Sequence, residues 1–146
     1  MQQAIFVPFF AMMALTFLVW VYMYSRRIPF ITKSRLSASQ LAPLELARLS
    51  PPAVSNPADN LRNLFEIPTL FYALILYLFV AGRVDGTYLI AAWVFVGFRA
   101  LHSLVHCTAN IVLLRFWLYA VSTTALWLMV GRAAFGAMSP GAATAA

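Results

Sequence analysis

The feature that most constrains this chain is a run of residues without charge from Ala4 to Tyr24. A helix over these residues spans about 31 Å at about 1.5 Å per residue, which matches the hydrocarbon thickness of a bilayer. Hydrophobic residues make up 63% of the 146 residues and charged residues 10%, against about 45–50% and about 25% in soluble domains. The sequence therefore predicts an integral membrane protein, and it excludes a soluble globule, a disordered tail and a nucleic-acid-binding protein.

Three further apolar segments predict an all-α, four-transmembrane-helix bundle that occupies residues 1–146 as a single domain. Asn56 and Pro57 are typical of a helix start, and Gly82 is typical of a helix end. We expect the helices at about 4–24, 57–81, 87–110 and 114–131, a basic loop at 25–56 and a flexible tail at 135–146. Within the loop, residues 43–49 are expected to form a short helix in the membrane interface.

The distribution of basic residues predicts the orientation of the bundle. Arg83 and Arg132 fall on one side of the predicted membrane. The other side carries Arg26, Arg27, Lys33, Arg35, Arg48, Arg62 and Arg115. Because basic residues concentrate in cytoplasmic loops, we expect a multi-pass protein with both termini on the non-cytoplasmic side. The first segment lacks a basic start and a small-residue cleavage site, so we expect it to remain as an anchor.

Polar side chains early in the second predicted helix mark one half of a candidate site. Asn63 and Glu66 share a helix face, and Arg62 can pair with Glu66. Pro68 leaves the carbonyl of Leu64 without its usual partner, which predicts a kink. A lone carboxylate at this depth is costly. We therefore expect Glu66 to contact at least one of four side chains: Arg62, Arg99, His102 and His106.

A polar stripe on the third predicted helix marks the other half. Its members are spaced by three or four residues: Arg99, His102, Ser103, His106 and Asn110. If helices two and three are antiparallel, His102 and His106 lie near the depth of Glu66, and Arg115 opens the fourth helix on the same side. Purely structural roles remain open, namely an ion pair of Arg62 with Glu66 and interhelical hydrogen bonds of the histidines. Carboxylates are too few for us to expect a metal site.

These features together resemble the MAPEG family, the membrane-associated proteins in eicosanoid and glutathione metabolism. The resemblance rests on the four helices, the basic first loop, the Asn63-Leu64-Phe65-Glu66-Ile67-Pro68 element and Arg115, and it covers roughly residues 4–134. The bacterial branch is the most similar, through Arg99-Ala100-Leu101-His102-Ser103. The resemblance implies a homotrimer of four-helix protomers in a bacterial inner membrane.

The resemblance also implies a membrane-bound glutathione transferase or peroxidase that acts on small lipophilic electrophiles. Glutathione would be the co-substrate, and the second substrate would enter from the lipid bilayer. Arg115 would stabilise the glutathione thiolate, and Arg26, Asn63 and Glu66 would hold the tripeptide. The spacing of the polar residues, independently of the resemblance, predicts that the same cavity near the cytoplasmic face also holds Arg62, Arg99, His102, His106 and Asn110.

The sequence departs from the family's synthases at several positions of this pocket. Asp59 stands where they have an arginine, and Ile67 stands where they have a tyrosine. His102 and His106 occupy the region of two further tyrosines. The alternative is a non-catalytic membrane protein of the same fold that binds lipid or a partner protein. A transporter subunit is less well supported, because the fourth helix offers almost no polar path.

Overall fold

A computed structural model describes residues 2–138 of the chain. The regular elements of these residues are helical: two short 3-10 turns, Gln2–Ile5 and Ala38–Leu41, and six α-helices. The α-helices are α1 (Phe6–Ser34), α2 (Pro43–Leu49), α3 (Pro52–Leu64), α4 (Ile67–Val80), α5 (Gly86–Cys107) and α6 (Val112–Met138). The predicted flexible tail therefore begins inside α6, and its residues 139–146 lie outside the described part of the chain.

Four helical stretches are long and apolar enough to cross a membrane. They are α1 with the turn before it, α3 together with α4, α5, and α6. Large apolar side chains such as Phe17, Trp20 and Leu128 lie exposed on the outside of the bundle, as a lipid solvent permits. The predicted all-helical, multi-pass membrane fold is confirmed.

The first spanning helix is longer than the sequence predicts. It continues through Arg26 and Arg27 to Ser34 and ends at Arg35, whose backbone is left-handed with φ 48°. Pro29 lies inside it and does not end it. The hydropathy pattern locates only the part of a helix that lies in hydrocarbon, whereas long basic side chains allow the same helix to extend into the interface. The predicted loop therefore shortens, and its short helix Pro43–Leu49 is confirmed.

The second spanning segment begins earlier than predicted and is broken in the middle. Helix α3 starts at Pro52 with Pro51 as its N-cap, because proline at the first helical position loses no intrahelical hydrogen bond. The chain leaves the helix at Phe65 and Glu66, and α4 then starts at Ile67 with Pro68 in its first turn. A complete break thus replaces the predicted kink.

The ends of the last two helices also differ from the predicted bounds. Helix α5 ends at Cys107, because Asn110 adopts a left-handed backbone (φ 48°) and its N–H closes the turn on the carbonyl of Val105 at 2.7 Å. Helix α6 passes through Gly131 to Met138. A glycine does not end a helix where lipid offers the backbone no other hydrogen-bond partners.

Helix α5 lies at the centre of the bundle and packs against α1, α3 and α6. Its buried apolar face meets that of α4, where the rings of Phe95 and Phe71 stack with centroids 4.5 Å apart. Met12 of α1 and Leu126 of α6 are fully buried in the same core. The C-terminal half of the α5 face is instead polar, and the candidate site lies there.

Candidate functional site

The break between α3 and α4 brings a backbone carbonyl to a buried arginine. Arg99 of α5 is fully buried, and its Nη2 donates a hydrogen bond to the carbonyl oxygen of Asn63 at 2.6 Å. In an unbroken helix that carbonyl would accept from the N–H of Ile67. The guanidinium therefore occupies the negative end of the α3 dipole, where a cation is favoured.

The rest of the Arg99 guanidinium faces an aromatic ring and buried space. Its Cζ lies 5.3 Å from the centroid of the Tyr119 ring on α6, a cation–π arrangement. Its Nε and Nη1 are buried and have no hydrogen-bond partner among residues 2–138. Arg99 thus joins the end of α3 to α6 through the centre of the bundle.

Glu66 does not make the contact that the sequence predicts. Its side chain is exposed at the break, and within residues 2–138 it forms no hydrogen bond and no ion pair shorter than 4.0 Å. The prediction was wrong because the break turns Glu66 outward and offers Arg99 a backbone acceptor instead.

Arg62 does not form the ion pair with Glu66 that its spacing allows. It lies 3.9 Å from the Asp59 carboxylate, one turn earlier, and both side chains are more than half exposed. An exposed pair at this distance contributes little to stability, but it offsets the Asp59 charge. Neither residue contacts Glu66 through a hydrogen bond in the part of the chain described.

Arg115 is held at the start of α6 by two asparagines. Its Nη1 donates to the side-chain oxygen of Asn110 at 2.5 Å, and the Asn110 amide donates to Asn56 of α3 at 3.2 Å. Arg115 is half-buried, and no carboxylate lies within 4.0 Å of it in residues 2–138. Its guanidinium is therefore oriented by neutral groups, and its positive charge is not compensated by an ion pair.

The two histidines lie beside this arginine, deeper in the bundle. His102 Nδ1 lies 3.0 Å from the backbone carbonyl of Arg115, and because a carbonyl only accepts, that nitrogen carries the hydrogen. His102 Nε2 and His106 Nδ1 are buried without a partner among the described residues. The two rings meet edge to face with centroids 5.5 Å apart. Both histidines are therefore oriented within the polar half of the bundle.

A second polar contact fixes α3 against α5. Asn60 is fully buried, accepts a hydrogen bond from Ser103 at 3.3 Å, and donates one to the Cys107 sulfur at 3.4 Å. Cys107 is thus a half-buried thiol with a structural contact. The asparagines of α3 at positions 56, 60 and 63 thus form one face, whose spacing of four and three residues could have been read from the sequence.

The structure brings together five of the predicted pocket residues and leaves others apart. Arg99, His102, His106, Asn110 and Arg115 lie along the α5–α6 contact. The side chains of Asn63 and Glu66 lie at the break and form no hydrogen bond within residues 2–138. Arg26 is exposed on α1, with its Cζ 5.8 Å from the Tyr22 ring.

Tyr119 is the residue that sequence inspection missed. It stands one helical turn after Arg115, and it lies next to both Arg99 and His102, whose ring centroid is 5.9 Å away. A spacing of four residues from Arg115 is the signal that could have found it. Among residues 2–138 no three His, Cys, Asp or Glu side chains gather as metal ligands would.

A sequence model of the MAPEG family matches residues 5–135. No curated protein and no solved structure matches the chain. The match covers the second and third membrane-spanning segments, all but the ends of the first and the last, and every residue of the polar cluster described above.

Proposed function

Because the chain belongs to the MAPEG family, we propose that it is a membrane-bound glutathione transferase or peroxidase that activates the glutathione thiol against small lipophilic electrophiles. The family also contains non-catalytic members. The proposal therefore depends on whether this chain's own residues suit an ionised thiol.

The observation that carries the proposal is the state of Arg115. A thiolate needs a cation that is held in place and is not already neutralised, because a nearby guanidinium lowers the pKa of a thiol from about 8.5. The Asn110 side chain orients the Arg115 guanidinium, and within residues 2–138 no carboxylate lies within 4.0 Å of it. Its charge is therefore available to an anionic sulfur.

The remote parts of glutathione need two cations or donors and one anion, since the tripeptide has two carboxylates and an ammonium at neutral pH. We assign Arg26 to a carboxylate, Asn63 to the peptide and Glu66 to the ammonium. The side chains of Asn63 and Glu66 are free of hydrogen bonds within residues 2–138, which supports this assignment. The charge of Asp59, which would repel a glutathione carboxylate, is offset by Arg62.

The residues proposed to bind glutathione lie on separate parts of the bundle: on α1, at the α3–α4 break and on α6. We propose that a homotrimer completes the pocket, with glutathione at the boundary between protomers and open to the cytosol of a bacterium. In the transferase reaction the sulfur forms a bond to the electrophilic carbon, the leaving group departs with its electron pair, and the thiol proton passes to water. An apolar acceptor would reach the sulfur from the bilayer.

Calorimetric titration of the purified protein in detergent tests the proposal, with glutathione and S-methylglutathione as ligands. Binding of both ligands, together with conjugation of a chloroaromatic acceptor to glutathione only, is the expected result. Binding without turnover of any acceptor or hydroperoxide would favour the alternative, a non-catalytic protein of the same fold that binds lipid or a partner protein. The absence of binding would exclude glutathione as the co-substrate.

A further inference from the structure

Two cavities meet at the end of the bundle that lies away from Arg115. One is an apolar groove of about 380 Å³ between α5 and α6. Its apolar wall includes Ile90, Ala91, Val94, Ala125 and Leu128. The groove runs along both helices toward the membrane centre. A molecule that occupies it must therefore be apolar in this part.

The second cavity forms a polar mouth above this groove, and the two share Tyr88 and Arg132. Arg132 Nη1 donates to the Asp85 carboxylate at 2.9 Å, and its Cζ lies 4.3 Å from the centroid of the Tyr88 ring. The mouth is completed by Arg83 and Gly136. It thus lies at the helix ends, at the level of lipid headgroups.

The mouth carries more positive than negative charge. Asp85 pairs with Arg132, whereas Arg83 has no carboxylate within 4.0 Å among residues 2–138. Gly136 lets the Arg83 side chain lie across α6, because an added Cβ there would stand 2.9 Å from Arg83 Nη1. Two guanidinium groups and one carboxylate leave a net charge of +1 in the mouth.

We propose that these two cavities bind one anionic phospholipid, with its phosphate at Arg83 and one acyl chain in the groove between α5 and α6. The polar mouth above an apolar slot matches the two parts of such a molecule. A guanidinium at a helix end binds phosphate through paired N–H donors. The shared residues Tyr88 and Arg132 line the junction of the two cavities, where the ester region of the lipid would lie. This site is separate from the proposed glutathione pocket.

Native mass spectrometry of the detergent-solubilised protein tests this, after incubation with equal amounts of phosphatidylglycerol and phosphatidylcholine. We expect one phosphatidylglycerol molecule to bind per protomer, in preference to phosphatidylcholine. Arg83→Gln should lower the phosphatidylglycerol affinity about fivefold, since one basic side chain at an anionic lipid surface contributes about 1 kcal/mol. Gly136→Ala displaces the same guanidinium without a change of charge, and it should reduce the preference too.

A groove variant and a charge control separate the two halves of the site. Ala125→Phe fills the groove and should weaken the binding of both lipids. Ala91→Phe replaces it in the test if the Ala125→Phe protein does not fold. Arg48→Gln removes an exposed cation at the other end of the molecule and should leave binding unchanged. An unaltered lipid preference in Arg83→Gln, unaltered retention in both groove variants, or full competition by inorganic phosphate would each overturn the proposal.

Discussion

The Arg99 guanidinium caps the broken helix α3 by donating its Nη2–H to the backbone carbonyl of Asn63 at 2.6 Å. The bond lies about 12 Å from the C-terminal end of α5, counted at about 1.5 Å per residue. At that depth neither water nor lipid can satisfy a free carbonyl. The arginine therefore stabilises the break at which the Glu66 side chain lies exposed.

Replacement of Arg99 by methionine should destabilise the folded protein by about 2 kcal/mol. A buried acceptor that loses its partner costs about 1–3 kcal/mol, and bonds to charged donors are at the upper end. Arg99→Lys should restore part of the loss, because an ammonium can reach one acceptor but cannot also lie flat on the Tyr119 ring. Unfolding by sodium dodecyl sulfate in mixed micelles measures both variants.

Arg48→Ala is the matched control for Arg99, since it removes an exposed arginine whose ion pair with Glu45 is 3.2 Å long. Such pairs contribute about 0–1 kcal/mol, so we expect almost no change. A more stable Arg99→Met protein would show that burial of the cation costs more than the Asn63 bond contributes.

The ion pair of Asp85 with Arg132 should make stability depend on pH in acid. The two hydrogen bonds from Arg132 lower the pKa of the Asp85 carboxyl to about 2, below the ordinary value of about 3.9. A lowered folded-state pKa stabilises above the ordinary pKa, and this stabilisation is lost as the pH falls through about 2. Both side chains are more than 40% exposed, so the effect should stay below about 1 kcal/mol.

Two substitutions of Asp85 separate this ion pair from helix capping. Asp85 also accepts from the N–H of Tyr88 at 3.0 Å as the N-cap of α5. Asp85→Asn keeps a capping oxygen and should remove the acid dependence only, whereas Asp85→Ala should cost about 1 kcal/mol more. Thermal melts between pH 2 and pH 7 give the comparison. If the stability of Asp85→Asn still falls in acid as in the wild type, the acid dependence arises from another group.

The four membrane-spanning segments could be predicted from the sequence, because a bilayer requires long apolar helices and the hydropathy pattern shows them. It also located the short helix at Pro43–Leu49 and the turn at Asp85. It could not locate the break at Phe65, because a proline only removes one hydrogen bond. A break also frees the carbonyl of Asn63. Whether the chain kinks or breaks therefore depends on a new partner for that carbonyl, and the partner, Arg99, comes from another helix.

The same reason explains the wrong partner for Glu66. A sequence shows that a buried charge needs a partner, and the nearest opposite charge is the natural candidate. In the structure a backbone carbonyl and the Tyr119 ring take that role for Arg99, and local sequence spacing does not reveal contacts of either kind. Arg115, by contrast, lies where the polar stripe of α5 predicts, beside His102 and Asn110.

Both termini should lie on the non-cytoplasmic side of the membrane. Arg83 and Arg132 occupy one end of the bundle, and the remaining basic residues outside the core concentrate at the other. Alkaline phosphatase fused after Ala146 should be active, and the same reporter inserted near Ser39 should be inactive. Bright fluorescence of a green fluorescent protein fused after Ala146 would show that the C-terminus lies in the cytoplasm, opposite to the predicted orientation.

Arg115 should affect turnover more than glutathione affinity. A charge that acts on the reacting sulfur changes kcat, whereas contacts to remote parts of the substrate change KM. Arg115→Ala should therefore lower kcat by at least about tenfold, and Arg115→Lys should recover part of it by keeping the charge. Glu66→Ala should mainly raise KM. Steady-state kinetics with a chloroaromatic acceptor compare the variants, and wild-type turnover in Arg115→Ala would remove Arg115 from the mechanism.

We propose that the uncompensated charge of Arg115 ionises a bound thiol, and a titration of the bound glutathione by thiolate absorbance measures the pKa of that thiol. S-methylglutathione, which has no ionisable thiol, provides the blank at each pH. We predict that the bound thiol titrates well below the free value of about 8.5, and that it returns to about 8.5 in Arg115→Ala. Glutathione that binds to the wild-type protein and whose thiol still titrates near 8.5 would show that Arg115 does not ionise it.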